Sequence, residues 1–337
     1  MSAVGEKRRP KSPPPQFLGI GAQKCGTTWL WANLRLHPDI WLPPAKEIHY
    51  FDVLASRERP LSERLVGRTQ ASLHLRRSFR RAVGESLAAP GTVDLAWYLR
   101  YCFGGSGDAW YRSLFAPAGS RLSGDITPGY SRLDDQAVGH VKAMLPDARL
   151  ILMIRHPVER AWSQAVLKER KQKRRTSVEA ALQHVETPES RRRTEYLGII
   201  RRWKAHFPRH RLFVGFLDDV HYHPDAFLQA VLRFLRVDPE AMPDPIRTRV
   251  FGRSPETMPT NVAMALASQY QNLSHRLARR LGGHAVTWAE GIDRLLADPP
   301  RTPRIPYPFW EPTESPIAMS SGILNEVAGR ARRARQA

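Results

Sequence analysis

The chain has 337 residues, 42% of them hydrophobic, which allows one large domain or two ordinary ones with a sizeable core. Its 52 lysines and arginines against 32 acidic residues leave a net charge of +20, which favours an anionic partner: nucleic acid, a membrane surface, or a small acidic ligand or polyanion. Two cysteines, Cys25 and Cys102, provide no disulfide framework and fit a reducing cytoplasm, and no apolar run approaches the ~20 residues of a membrane span.

Residues 1–15 are basic and proline-rich with no apolar segment behind them, so they read as a disordered tail rather than a secretory leader. "QFLGIGAQ" follows as a short buried strand ending in a glycine turn, and Thr27 to His37 as a helix that is apolar nearly all round. "HPDI" stops it, because the residue before a proline is pushed out of helical geometry. Strand, glycine turn and helix together are the setting of a phosphate-binding loop. Gly21 and Gly26 have the spacing of G-x-x-x-x-G-K-[ST], yet Thr27 stands where the lysine belongs and Lys24 lies inside the turn. From there Lys24 reaches a ligand's first phosphate and its bridging oxygen. Backbone N–H groups from Cys25 to Thr28 and the hydroxyls of Thr27 and Thr28 complete an anion nest. That suits a short 5′ anion without a metal. Cys25 reads either as a small packing residue or as a thiol whose pKa the helix N-terminus lowers.

Ala45 to Asp52 is expected to be extended, which puts Glu47 and His49 on one face. Residues 57–103 are Arg-rich with no clean hydrophobic period and read as a helical insertion on the edge of the fold. "SGDITPGYS" carries Asp125 and a turn at Pro128 and Gly129. "RLILMIRHP" is the clearest central strand, with Arg155 at its tip, and a helix from Val158 carries Ser163 one to two turns in. An arginine fork and a hydroxyl placed this way clamp a second phosphate. Residues 210–219 predict another buried strand, ended by Asp218 and Asp219, and "PDAFLQAVLRFLRV" predicts a helix. Strands alternating with helices give an α/β, three-layer fold with a central, largely parallel sheet over residues 16–295. Ligands in such sheets lie beyond the C-terminal strand ends, so the Gly21 loop, Glu47, Asp125 and Arg155 gather around one crevice. From residue 296 the chain reads as a Pro-rich extension with a basic end. The basic runs Lys168 to Arg175 and Arg191 to Arg193 read as solvated faces or as walls of an acceptor cleft.

A nucleotide with a phosphate at each end of its ribose satisfies both cradles, and 3′-phosphoadenosine 5′-phosphosulfate (PAPS) is the obvious one. "AQKCGTTWLWANLRLHP" resembles the 5′-phosphosulfate loop of PAPS-dependent sulfotransferases, and "LILMIRHPVERAWSQ" resembles their 3′-phosphate motif. "KEIHYFD", "AWYRSLF" and "GDITPGYS" are similar to segments between these motifs in the carbohydrate (heparan-sulfate-type) branch and its bacterial relatives. The resemblance implies a P-loop-like fold and sulfuryl transfer to an acceptor hydroxyl, with PAPS as donor, its bisphosphate (PAP) as product and no metal. It also implies site roles. Lys24 stabilises charge on the bridging oxygen, and Gly26, Thr27 and Thr28 cradle the 5′-phosphate. Trp29 is at an adenine-stacking position or is a core aromatic. Arg155 and Ser163 hold the 3′-phosphate, Glu47 is the base, and His49 is a supporting contact or the alternative base. The acceptor is expected to be an anionic glycan or a small natural product. Ile126 replaces the lysine of the heparan-type "E-K-T-P-x-Y" segment, which counts against heparan-like acceptors, and Arg253 in "FGRSPET" is read as a plain loop arginine. Two rivals stand: a P-loop kinase using Asp218 and Asp219 for a metal, and a basic nucleic-acid-binding protein, for which no recognisable motif is present.

Overall fold

The first apolar run becomes β1 (Phe17–Gly21), with every residue buried. The structure is a computed structural model that describes residues 14–52, 94–104, 107–171, 187–247 and 257–306, with isolated positions at 76, 79–80, 83–84 and 183. After β1 come α1 (Thr27–Leu34), β2 (Ile40–Trp41), α2 (Leu95–Phe103), α3 (Asp108–Ser113), β3 (Leu122–Ile126), α4 (Asp135–Met144), β4 (Arg149–Ile154) and α5 (Pro157–Lys171). Then follow α6 (Pro188–Thr194), α7 (Tyr196–His206), β5 (Leu212–Phe216), α8 (Leu217–Tyr222) and α9 (Pro224–Leu235). The described chain closes with β6 (Thr257–Pro259), α10 (Thr260–Leu281), α11 (His284–Ala297) and β7 (Arg304–Pro306).

The main sheet has the order β2-β3-β1-β4-β5 and every neighbouring pair is parallel. Leu150 through Ile154 of β4 are all fully buried, and successive strand side chains point to opposite faces, so helices cover both faces. α1 and α9 meet where Trp29 packs on Phe227, while α4 and α7 meet through Lys142 over the Phe207 ring and the His206–Asp135 pair. The expected α/β architecture is therefore present. The chain runs from β1 out to one edge, returns through β3 and crosses to β4 on the other side of β1. The order reverses at β1 and β4, and the crevice of such a sheet opens at that point.

Several local expectations change. The first helix stops at Leu34, because His37 turns inward and its Nε2 meets the carbonyl of Asp238 at 2.8 Å. The strand expected over 210–219 is β5, five residues long, and Asp218 and Asp219 belong to α8. Most of the expected edge insertion lies outside the described residues, but its last part is α2. There Trp97, Tyr98, Tyr101 and Cys102 form a buried helical stripe, and Trp97 and Tyr101 donate to the carbonyls of Leu114 and Ile48. Beyond residue 296, β7 pairs antiparallel with β6 and so closes a ribbon at the base of the α10–α11 hairpin. Residues 1–13 of the N-terminal tail, the second half of the Lys168–Arg175 run, Arg253 and the basic C-terminal end lie outside the described residues.

Candidate active site

The loop between β1 and α1 turns through left-handed backbone at Lys24 (φ 70) and Gly26 (φ 84). A side chain at Gly26 would also strike Leu217, whose Cδ1 lies 2.6 Å from the place of a Cβ. Gly26 caps α1 with no side-chain hydrogen bond, and the first turn contains no acidic residue. The leading N–H groups of a helix have no partner within it, so this end is a positive pole at which an anion would be stabilised. Thr27 is buried and Thr28 half-buried at that pole.

The tip of β4 lies against this loop. Ala22 N–H donates to the carbonyl of Met153 at 2.7 Å, and Arg155 donates from Nη1 to the carbonyl of Lys24 at 3.3 Å. Arg155 is 6% exposed and its Nε bonds Glu159 at 3.0 Å, one turn along α5. Ser163, 7% exposed, follows on the same helix. Tyr196 of α7 adds a second tie: its hydroxyl donates to the Arg155 carbonyl at 2.9 Å and lies 3.6 Å from Cys25 Sγ.

Cys25 is fully buried. Burial pushes its thiol up to about 11 against the Tyr196 contact and the positive charges of Arg160, Arg155 and Lys24. Of the two readings of Cys25, the small packing residue therefore fits and the lowered-pKa thiol does not, because burial outweighs the nearby positive charges. The same charges show three cations converging on the loop; the third, Arg160, stands between Arg155 and Ser163 in sequence but carries no role assigned from sequence. It is fully buried and held by Thr194 Oγ1 at 2.7 Å and the carbonyl of Ser190 at 3.2 Å. His156, next to Arg155, stays neutral, with burial and the Arg155 charge holding it down to about 3. Trp29 points into the core: it is 5% exposed, and its indole N–H donates to the carbonyl of Ile246 at 2.5 Å.

Glu47 and His49 do meet, but not through extended backbone. Both sit at positive φ (67 and 57), and a helical turn begins at Tyr50. His49 Nε2 lies 3.3 Å from Glu47 Oε2, its Nδ1 lies 2.7 Å from Asp52 Oδ2, and Lys46 bonds Glu47 at 2.6 Å. Burial opposes charge on His49, yet the bonds from Asp52 and Glu47 raise it to about 9. Burial likewise opposes charge on Glu47, but the His49 bond and the Lys46 charge take it down to about 2. Both shifts favour the ion pair of Glu47 and His49, with Asp52 bonded to the other imidazole nitrogen. Asp52 was missed as a functional partner, although it stands three residues after His49, where a helical turn brings side chains together.

The 3-10 turn Pro128–Arg132 joins the two halves of the site. A Cβ on Gly129 would collide with Asp52 Oδ2, and one on Gly21 would lie 2.7 Å from Ser131 Cβ. The turn is anchored by Asp125, which is buried and accepts from Thr127 Oγ1 (2.7 Å), Tyr130 (2.7 Å) and Tyr111 (2.9 Å). Tyr130 in turn accepts the backbone N–H of Tyr50 at 3.1 Å, which fixes the Glu47–Asp52 segment. Asp125 therefore lies behind the crevice and sets the position of the Glu47 cluster from within. Ile126 is 2% exposed and packs toward Gly19.

Asp218 and Asp219 are structural. Asp218 accepts from Trp288 Nε1 at 3.0 Å, and Asp219 pairs with His284 Nε2 at 2.8 Å, so the kinase rival loses its metal-holding aspartates. Among the described residues no group of three or more His, Cys, Asp or Glu could hold a metal ion, and no helix is long and apolar enough to cross a membrane. Arg191 and Arg192 are exposed, while Arg193 pairs with Glu189.

Residues 15–241 match the model of the sulfotransferase family. Human carbohydrate sulfotransferase 15 is 27% identical over 171 residues, covering 44% of this chain and 26% of its own length. Human heparan sulfate glucosamine 3-O-sulfotransferase 6 is 29% identical over 150 residues, covering 44% of this chain and 29% of its own length. The chain thus spans less than a third of the length of these curated relatives. A sulfotransferase from Alicyclobacillus acidocaldarius shares the fold, with a TM-score of 0.51, 21% identity and coverage of 85% of this chain and 96% of its own. With all of the main sheet from β1 to β5 inside the family match, this chain belongs to the sulfotransferase family.

Proposed function

We propose that the protein transfers a sulfuryl group from PAPS to an acceptor hydroxyl. The observation that carries this reading is the bond from Arg155 to the Lys24 carbonyl, which fastens two cationic cradles together at adjacent strand tips. A donor with phosphate groups on both sides of one ribose needs two anion sites a nucleoside apart. The α1 pole with Lys24, and the Arg155–Ser163 pair, supply them. When bound, PAPS provides an activated sulfuryl group on its 5′-phosphate.

Each residue then has a distinct task. Lys24 and the N–H groups of Gly26, Thr27 and Thr28 neutralise the phosphate oxygen left as the S–O bond breaks. Arg155 and Ser163 hold the 3′-phosphate, and Arg160 adds positive field from behind. Glu47 takes the proton of the acceptor oxygen as that oxygen bonds to sulfur. His49, whose bonds to Asp52 and Glu47 favour its protonated form, is assigned to orient Glu47 rather than to act as the base. Trp29, buried on α1, shapes the wall next to the loop rather than offering an open stacking face. The acceptor is proposed to be a glycan or small molecule bearing a free hydroxyl, because the curated relatives carry carbohydrate and heparan sulfate in their names.

The test is calorimetry with adenosine 3′,5′-bisphosphate, AMP and ATP, in EDTA, followed by an acceptor screen with labelled PAPS. Selective binding of the bisphosphate and transfer that survives EDTA are expected. Equal binding of all three nucleotides, or turnover that needs magnesium and ATP, would reject the reading.

A further inference from the structure

The α10–α11 hairpin starts at Thr260, past residue 241, where the family match ends. It is nevertheless bound to the strand tips that carry the site, and the contacts converge on Trp288 of α11. That indole is fully buried. Its ring stands edge-on to His156 at 5.7 Å, the residue after Arg155, and to Phe216 at 5.2 Å, the last residue of β5. Its N–H donates to Asp218 in the first turn of α8. One turn earlier on α11, His284 bonds Asp219 and packs on Phe216.

α8 itself presses on the donor loop. Leu217, which precedes the two aspartates, is the side chain that fills the space left by the missing Cβ of Gly26. A single helix of the hairpin therefore touches one residue away from each cradle, through His156 beside Arg155 and through Leu217–Asp218 beside Gly26. Buried carboxylates are costly unless paired, and apolar contact alone would let a helix slide. Two directed bonds to Asp218 and Asp219 fix where α11 stands.

We infer that the hairpin is the brace that sets the two anion cradles relative to each other, with Trp288 as the positioning residue for donor binding. The inference rests on the sulfuryl-transfer reading above and extends it to a segment outside the family match. A cradle displaced from its phosphate loses charge-assisted hydrogen bonds, so loosening this contact should be visible in donor affinity.

The experiment compares the full chain with Trp288→Ala, Trp288→Phe and, as a control on the same helix, Val286→Ala, whose side chain is exposed. Circular dichroism first establishes that each variant is folded. Adenosine 3′,5′-bisphosphate affinity and the donor KM of Trp288→Ala are expected to worsen by about tenfold, while kcat and acceptor KM stay within about twofold. Trp288→Phe keeps a ring against His156 but loses the Asp218 bond, so it should fall between, and Val286→Ala should match the parent. If Trp288→Ala does not fold, the Phe variant decides. Parental donor affinity in a folded Trp288 variant, or a loss confined to kcat, overturns the brace. A parent protein that binds no bisphosphate overturns the donor reading itself and the brace with it.

Discussion

The guanidinium of Arg155 donates to the backbone carbonyl of Lys24, so the arginine at the tip of β4 holds the loop that leaves β1. Arg155 is thus a strut for the loop as well as the proposed 3′-phosphate ligand. Arg155→Ala removes a charged donor from a nearly buried site, an effect of about 1.5–3 kcal/mol, or roughly 10- to 100-fold in affinity. The loss should be largest for adenosine 3′,5′-bisphosphate and smaller for AMP, which lacks the 3′ group. Arg155→Lys should recover little, since a point charge cannot bond Glu159, the Lys24 carbonyl and a phosphate from one planar fork. Calorimetry with both nucleotides measures the difference.

Glu47 makes contacts that keep it ionised, and its removal should affect chemistry more than binding. Glu47→Gln keeps the shape and an oxygen for Lys46 but cannot take a proton. Turnover should fall by about 100-fold or more with bisphosphate affinity unchanged. A glutamine variant with parental turnover would return the base role to another group.

The ionisation of the cluster fixes a pH signature. His49 has its folded pKa raised from 6.5 to about 9, so the stability it adds is full below 6.5 and disappears as pH rises through 9. Glu47 is lowered from 4.5 to about 2, so its contribution is present above 4.5 and disappears as pH falls through 2. The array is complete from about pH 4.5 to 6.5 and persists to near 9. Turnover should therefore decline as pH passes about 9, and His49→Asn should abolish that limb while lowering the plateau. Were neutral His49 the base, turnover would instead climb through the same pH. A kcat–pH profile on parent and variant separates the two.

What the sequence made legible follows from how local each signal is. The β1–loop–α1 unit and the tip of β4 are readable because an apolar run, a glycine or a proline marks each boundary within a few residues. Glu47 and His49 are readable as neighbours, but not their backbone. Left-handed φ at two non-glycine residues has no local signature, and the tertiary bond from Tyr50 to Tyr130 helps hold the segment there. Asp218 and Asp219 look like metal ligands because they follow an apolar strand. Their partners, Trp288 and His284, stand 70 and 65 residues further on, and no window of sequence connects them. Arg160 stands in plain view between Arg155 and Ser163, but its burial beside Cys25, held by Thr194 and Ser190 some thirty residues on, has no local signature.

Gly26 tests the donor loop by two separable effects. Its φ of 84 is a conformation that costs an L-residue roughly 1 kcal/mol, and a Cβ there would also meet Leu217 Cδ1 at 2.6 Å. Gly26→Ala should therefore lower stability by about 1–3 kcal/mol and weaken bisphosphate binding, because the loop must either shift or push α8 aside. Adding Leu217→Ala opens the space but leaves the backbone strain, so the double variant should regain donor affinity ahead of stability. Urea melts and calorimetry on the single and double variants read the two effects independently. Equal affinity in both variants would show that the backbone conformation at Gly26, and not its contact with Leu217, sets the anion site.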